Sequence, residues 1–166
     1  MSISMFDASV PRFVHMLKNL DAILDKGEAY AQVKKLAPEV LPASRLFPDM
    51  FPLSRQIQIA TDIAKGAVAR LAGIDIPCFE DTEQTMDELK ERLAKTIAFM
   101  ESVSADQIIG TEEKDISFTG GGHNMAFKGK AYLIDFVLPN FYFHIVTAYN
   151  ILRHNGVEIG KMDYVG

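Results

Sequence analysis

Residues 139–156, PNFYFHIVTAYNILRHNG, carry most of the information about the architecture of this chain. Apolar and aromatic residues dominate the stretch, which predicts a helix packed in a hydrophobic core. Asn140 and His144 are one helical turn apart, so their side chains lie over the same strip of helix surface. The sequence therefore predicts a polar site inside an otherwise apolar bundle.

Apolar residues at helical spacing predict four long helices. They are residues 9–26, residues 52–71, residues from Asp81 or Thr82 to Ser102, and residues 130–155. Gly27, Gly73 and Gly156 follow the first, second and fourth helices, where glycine commonly ends a helix. Pro139 lies inside the fourth helix and removes one backbone hydrogen bond, so we expect a kink one turn before His144.

The connections between these helices have distinct compositions. Residues 28–36 predict a short polar helix, whereas residues 41–52, LPASRLFPDMFP, contain prolines that forbid a regular one. Residues 114–128 alternate apolar and polar side chains around three glycines, which predicts a β-hairpin inserted before the last helix. Residues 157–166 are predicted to form a non-helical tail.

Length and charge limit the fold and the classes of function. A chain of 166 residues with 48% hydrophobic and 23% charged residues predicts one domain over residues 1–166. Together with the element pattern, this gives an all-α four-helix bundle with a small β-hairpin. The formal net charge of −5 has the wrong sign for neutralising phosphates, so nucleic acid is not an expected partner.

Cysteine usage and hydropathy bear on the compartment. The single cysteine, Cys78, cannot form an internal disulfide, and we interpret it as a small, semi-buried hydrophobe. The first residues, MSISMFD, lack the basic segment and the apolar core of a signal peptide. Asp135, Asn140 and His144 interrupt the most apolar stretch, so we expect no membrane-spanning segment. The expected location is the cytoplasm.

The order of elements resembles a known family from end to end. Four long helices, a crossing between the first two, and a late helix reading Asn-x3-His-x8-Arg-x2-Gly are similar to the DinB/YfiT-like superfamily of four-helix bundles. The runs PDMFPL at 48–53, RQIQ at 55–58 and HIVTAYNILRHNGVEIGK at 144–161 resemble an uncharacterised domain-of-unknown-function branch of that superfamily.

The resemblance implies a metal site at one end of the bundle. Members that carry the metal supply one histidine from the second helix and a His-x3-His pair from the fourth. Here the pair corresponds to Asn140 and His144, and the second-helix position falls at Gln58, or at Gln56 if the register slips. Amide oxygens are poor ligands for zinc or nickel, so a divalent metal would need a carboxylate. Asp62, one turn beyond Gln58, is the candidate, which makes His144 and Asp62 the expected ligands of a degenerate site.

The residues themselves leave alternatives open at this site. His144 is a metal ligand or general base, or else a core histidine hydrogen-bonded to Asn140 or to a glutamine across the bundle. Gln56 and Gln58 are about 200° apart around an ideal helix, so at most one of them faces the site. Arg153 either anchors an anionic ligand or caps the end of its helix.

Three functional hypotheses follow, and the sequence does not decide whether the protein is an enzyme. The favoured hypothesis is a small-molecule-binding bundle with a polar pocket lined by Asn140, His144, Gln58, Asp62 and Tyr149. The second is a metal-dependent thiol transferase or hydrolase, because related bundles include thiol-dependent transferases. The third is a non-enzymatic homodimer that associates through helix one or through the 157–166 tail.

Overall fold

The computed structural model describes residues 3–166, and within them the chain is mainly helical with one antiparallel hairpin. The elements are α1 (Val10–Lys34), α2 (Val40–Ala43), α3 (Leu53–Ala72), α4 (Met86–Glu101), a 3-10 turn (Ala105–Gln107), β1 (Asp115–Gly120), β2 (His123–Lys128), α5 (Gly129–Ala131), a π-helical segment (Tyr132–Val137), α6 (Leu138–His154) and α7 (Lys161–Val165). The predicted fold, a four-helix bundle with a hairpin before the last helix, is confirmed.

Apolar faces of the long helices meet in a single core. Phe13 of α1 packs edge-on against Phe141 of α6, with ring centroids 4.8 Å apart. The segments α5, π-helix and α6 form one continuous helix, called the last helix below, which runs antiparallel to α3. His144 contacts Gln56 at one end of this pair, and Tyr132 contacts Arg70 at the other. This pair of helices therefore positions the His144–Gln56 and Arg70–Tyr132 contacts discussed below.

The prediction that helix one stops at Gly27 is wrong, because α1 continues to Lys34 and includes the short helix predicted over residues 28–36. Gly27 is buried where α1 meets its neighbours: a Cβ there would lie 2.7 Å from Met86 Cε and 3.3 Å from Leu152 Cδ2. This glycine permits close packing. The helix ends at Lys35, whose backbone is left-handed with φ 52°.

The second long helix was predicted closely, whereas the start of the third was not. Gly73 ends α3 with a left-handed backbone at φ 74°. However, α4 begins at Met86 and not at Asp81 or Thr82. Thr85 caps it, accepting a hydrogen bond from the Glu88 amide while the Glu88 carboxylate accepts one from the Thr85 amide.

The predicted hairpin is confirmed within one residue at its start. Gly121 and Gly122 both have positive φ, 58° and 81°, which is the backbone of the tightest hairpin turns. One face of the hairpin packs on the last helix through a set of aromatic rings whose neighbouring centroids lie 5.3–6.3 Å apart, Phe118, Phe127, Tyr132 and Phe136. The hairpin thus covers the start of the last helix.

Before Pro139 the last helix takes a wider, π-helical turn over Tyr132–Val137. The Leu138 amide donates to the Leu133 carbonyl, five residues back, as a π-helix requires. Pro139 itself falls in the first turn of α6, where its missing amide hydrogen matters least. The predicted disturbance at Pro139 takes this form, one turn ahead of the proline.

One helix, Gly129–His154, is long and apolar enough to cross a membrane by length and composition alone, with a mean hydropathy of 1.2 over 18 residues. This corrects the prediction that no segment reaches that threshold. Core helices pass the same test, and this helix buries Phe141, Ile145 and Leu152 in the bundle core. We therefore describe it as a core helix.

The tail after α6 is partly helical, contrary to prediction, and it lies on α1. His15 Nε2 donates to the Val165 carbonyl at 2.7 Å, and Asn19 Nδ2 donates to the Tyr164 carbonyl at 3.0 Å. Lys26 forms an ion pair with Asp163 at 2.5 Å. The tail therefore covers part of the α1 surface that was expected to serve an interface.

Candidate functional site

His144 lies on α6 and faces Gln56 of α3. The distance from His144 Nδ1 to Gln56 Oε1 is 2.7 Å. The orientation of the amide is fixed because Gln56 Nε2 donates to the Phe51 carbonyl at 3.1 Å. An amide oxygen can only accept, so Nδ1 of the imidazole must carry the hydrogen. In the neutral ring this leaves Nε2 without a proton.

The surroundings favour the neutral form of this imidazole. Burial, and to a smaller extent the positive charge of Arg55, hold the pKa of His144 below its ordinary value of 6.5. The ring of Phe143 stands perpendicular to the imidazole at 5.2 Å between centroids. His144 is therefore a half-buried, neutral, tautomerically fixed side chain at neutral pH.

Asn140 does not bond to His144, although the two share a face of the helix. Its Nδ2 donates to the Phe136 carbonyl of the preceding turn at 2.8 Å. This bond stays within the last helix, where the π-helical segment and Pro139 disturb the backbone pattern. The amide of Asn140 is thus used locally.

Gln58 and Asp62 lie with the buried Arg92 of α4 and not with His144. Gln58 Nε2 donates to Glu83 Oε2 at 2.9 Å. The carboxylate oxygen of Asp62 accepts from Arg92 Nη2 at 2.8 Å and from Lys65 Nζ at 2.7 Å. The predicted pocket that combined these two residues with His144 is therefore corrected: Gln56, not Gln58, is the glutamine that contacts His144.

Arg92 holds this second polar cluster together. Only 1% of its side chain is exposed, and Nε donates to Thr61 Oγ1 at 2.8 Å. Its Nη1 donates to the Glu80 carbonyl at 3.1 Å and to Glu83 Oε1 at 2.9 Å, and its Nη2 lies 3.0 Å from Asp81. Burial disfavours the charged guanidinium, but these carboxylates outweigh burial and raise the pKa of Arg92 above its ordinary value. Through these bonds Arg92 holds residues 80–83 in a loop against the bundle, and α4 begins only after this loop.

A third polar pair lies at the other end of α3, beneath the hairpin. Arg70 Nη1 donates to the Tyr132 hydroxyl oxygen at 3.0 Å, and the Arg70 guanidinium lies 4.4 Å from the ring centroid of Phe118. A cavity of about 480 Å³ opens here between α3, the hairpin and the π-helical segment. Its lining is mainly apolar and aromatic, with Arg55, Asp62 and Arg70 as its charged members.

Tyr149 and Arg153 lie away from all three polar groups. The Tyr149 hydroxyl donates to the Ile159 carbonyl at 3.5 Å, and its ring packs edge-on against Tyr164. Tyr149 therefore supports the tail on the bundle. Arg153 is exposed in the last turn of α6, where a positive charge complements the helix dipole.

Comparison with known families agrees with this fold. The model of the family described as "Domain of unknown function (DUF1993)" matches residues 5–165. The chain belongs to the DUF1993 family. The crystal structure of a DinB family member protein from Shewanella denitrificans is similar to this DUF1993 chain, with a TM-score of 0.87 and 44% sequence identity over 97% of this chain and 91% of that one. The predicted DinB-like resemblance is thus confirmed. No curated protein matches the chain.

The metal site that a DinB-like fold implies does not fit the residues of this DUF1993 protein. His144 and Asp62 bond to different partners, Gln56 on one side and Arg92 with Lys65 on the other. Within residues 3–166, no group of three or more His, Cys, Asp or Glu side chains lies close enough together to hold a metal ion. A lone imidazole falls short of the three or four protein ligands of zinc sites.

Sequence reasoning missed three residues of this DUF1993 chain that the structure makes prominent: Arg70, Arg92 and Tyr132. Arg92 sits among the charges of an amphipathic helix, and only its contacts show that it is buried. Arg70 occupies the last turn of α3, where a basic residue is ordinary. The remaining signal was the dense aromatic spacing from Phe118 to Phe136. Cys78, expected to be semi-buried, is exposed.

Proposed function

We propose that this protein binds a small molecule in the cavity between α3, the hairpin and the π-helical segment, and that it does so without a metal at the position used by metal-carrying relatives. The observation that carries the proposal is the cavity itself. Its volume of about 480 Å³ lies within the range of small-molecule sites, about 300–1,000 Å³.

The lining of the cavity has the chemistry expected of such a site. Binding pockets combine apolar and aromatic walls with a few polar groups that orient the ligand. Here Phe118 and Phe136 supply aromatic surface, with the buried ring of Tyr132 behind them, while Arg70 supplies a positively charged donor. This combination supports ligand binding at a place that shares only Asp62 with the polar pocket that the sequence suggested.

A metal-dependent transferase or hydrolase is less well supported by the contacts. Such an enzyme needs several ligands on one ion, with an open position for the thiol or water. His144 bonds to Gln56 through one nitrogen, and Asp62 serves two cations. We therefore expect neither zinc nor nickel to be retained in stoichiometric amounts.

The binding proposal is tested by ligand-observed NMR with a library of small molecules, using wild-type protein and two variants. Ile63→Phe narrows the cavity and should abolish the binding of cavity ligands. Val33→Phe adds the same ring to an exposed position of α1, 79% accessible, and should leave binding unchanged. Ligands that bind all three proteins equally, or no ligand at all, would refute the proposal.

The metal-free part is tested separately by elemental analysis of tag-free protein incubated with zinc or nickel and then desalted. Wild type and His144→Ala should both retain far less than one metal per chain. Near-stoichiometric metal in the wild type that disappears in His144→Ala would restore the metalloenzyme hypothesis.

The sequence suggested a homodimer that associates through helix one or the 157–166 tail. We propose instead that two copies of the chain associate through exposed rings at the His144 end of the bundle. Phe47, Phe51 and Phe143 are 63%, 54% and 59% exposed, which is unusual for rings of this size. The variant Phe51→Ser/Phe143→Ser should lower the mass measured by light scattering from that of a dimer to that of a monomer. A wild type that already has the mass of one chain would end this proposal.

A further inference from the structure

The charge of Arg70 is the feature of the cavity that identifies a class of ligand. Arg70 is half-buried, and its described partners are neutral: the Tyr132 hydroxyl and the ring of Phe118. Across residues 3–166, no carboxylate lies within 4.0 Å of its guanidinium nitrogens. A partly buried cation without a counter-charge is unfavourable, so this position favours an incoming anion.

The cavity lining has two other charged residues, the cation Arg55 and the carboxylate Asp62, and both are already paired. Arg55 is paired with Asp81, and Lys65 is paired with Asp62. Arg92 shares Asp62 and also contacts Glu83. Arg70 is therefore the cavity cation whose charge the described part of the protein leaves uncompensated.

Tyr132 provides a second donor beside Arg70. Its oxygen accepts the hydrogen bond from Arg70, which leaves the hydroxyl hydrogen to donate elsewhere. Burial raises the pKa of Tyr132 above its ordinary value of 10.0, and the nearby Arg70 lowers it less. The hydroxyl stays protonated at neutral pH. The Arg70 guanidinium and the Tyr132 hydroxyl can thus donate hydrogen bonds to two oxygens of one anionic group.

The walls next to these donors are flat and apolar. The ring of Tyr132 is stacked on Phe136, with centroids 6.1 Å apart and planes 18° apart, and Phe118 contacts both rings at 5.6 and 5.7 Å. Aromatic rings pack well against other rings in offset or edge-on arrangements. The exposed parts of Phe118 and Phe136 therefore favour a ligand with a planar apolar body.

We infer that the ligand is an aromatic carboxylic acid whose carboxylate is held by Arg70 and Tyr132 and whose ring packs among Phe118 and Phe136. A single guanidinium fork matches the planar geometry and the single negative charge of a carboxylate. This inference rests on the proposed function, because it names the ligand class of the same cavity.

The test compares matched pairs of probes that differ only in charge: phenylacetate with phenylacetamide, and indole-3-acetate with indole-3-acetamide. Binding to the wild type is measured by calorimetry and by NMR. We expect each acid to bind at least about tenfold more tightly than its amide, because hydrogen bonds to charged groups are worth about 1.5–3 kcal/mol. Equal binding of acid and amide would overturn the inference and leave the proposed cavity intact.

Substitutions then identify which side chains recognise the carboxylate. Arg70→Gln should remove the preference for the acid, and Arg70→Lys should restore only part of it because lysine lacks the planar fork. Tyr132→Phe, which keeps the ring, should weaken the acid several-fold and the amide less. Arg153→Gln removes an exposed arginine elsewhere and should change neither affinity. Should Arg153→Gln weaken the acid as much as Arg70→Gln, general electrostatic attraction would be the cause and the inference would be wrong.

Failure of the cavity and failure of the ligand class give different results. If no library compound and neither acid binds, the proposed function fails together with the inference. If neutral compounds bind in an Ile63-dependent way but acids do not, the cavity stands and the inference fails. Urea unfolding of Arg70→Gln shows whether that variant is folded, and Tyr132→Phe provides an independent result if it is not.

Discussion

Replacing Arg92 by methionine should destabilise the fold strongly, because the guanidinium is almost fully buried and bonds to five groups. A hydrogen bond to a neutral acceptor contributes about 1 kcal/mol net, and one to a charged acceptor about 1.5–3 kcal/mol. Two of the acceptors, Thr61 Oγ1 and the Glu80 carbonyl, are neutral. The carboxylates of Asp62 and Asp81 are partly exposed, so water recovers part of their loss.

Glu83 sets the size of the effect, because only 11% of its side chain is exposed. After Arg92→Met this carboxylate keeps only its bond from Gln58 among the contacts described here. Removing one member of a buried ion pair costs about 3–5 kcal/mol, a large share of a typical stability of about 5–15 kcal/mol. We expect a loss in this range.

The assay is urea unfolding of wild type, Arg92→Met, Glu83→Gln and the double variant, with Arg153→Met as a control for loss of an exposed arginine. The loss of stability in the double variant should be smaller, by at least about 1 kcal/mol, than the sum of the losses in the two single variants. The reason is that Glu83→Gln removes the charge that Arg92→Met alone would leave unpaired. A loss below about 1 kcal/mol in Arg92→Met, equal to the control, would refute the argument that this cluster fastens the loop before α4.

Three further predictions concern other parts of the fold. Gly129→Ala should cost about 2–3 kcal/mol in urea unfolding, because its Cβ would lie 2.0 Å from the Thr111 carbonyl oxygen, whereas Gly160→Ala, with open space around it, should cost under about 0.5 kcal/mol. Because the pKa of His144 is lowered on folding, the stability that this residue contributes is fully present above about pH 6.5 and is lost as the pH falls towards the folded pKa. The difference in unfolding free energy between wild type and His144→Gln should therefore shrink between pH 7.5 and 5. A difference that stays constant over this range would contradict the prediction. Deleting residues 161–166 should lower stability by about 1–2 kcal/mol, since it removes an ion pair and two hydrogen bonds to α1, and an unchanged urea midpoint would show that the tail contributes nothing.

Features of the fold that depend on residues close together in the sequence could be predicted from it. The apolar spacing of α3 and the glycine after it are local signals, and so are the two glycines in the hairpin turn. Gly27 misled the prediction of α1 because a glycine that ends a helix and a glycine that admits a neighbouring helix look the same in a sequence. The second case depends on Met86 and Leu152, which are distant along the chain.

The candidate site was less accessible to prediction for the same reason. Helical geometry established that Gln56 and Gln58 face different directions, but the choice between them required the position of α6 relative to α3. Asp62 appeared free to bind a metal because Arg92 lies 30 residues away in sequence. A buried charge often pairs with a residue that is distant in the sequence, and a single sequence does not show which residue that is.

The hairpin beneath which Arg70 lies also determines how stable the cavity is. An isolated two-stranded hairpin is at best marginally stable in water, so β1 and β2 stay folded only while their rings remain packed on the last helix. Phe118 belongs both to that packing and to the cavity wall. Local unfolding of the hairpin would therefore remove one wall of the cavity, and its free energy sets how often the binding surface is lost.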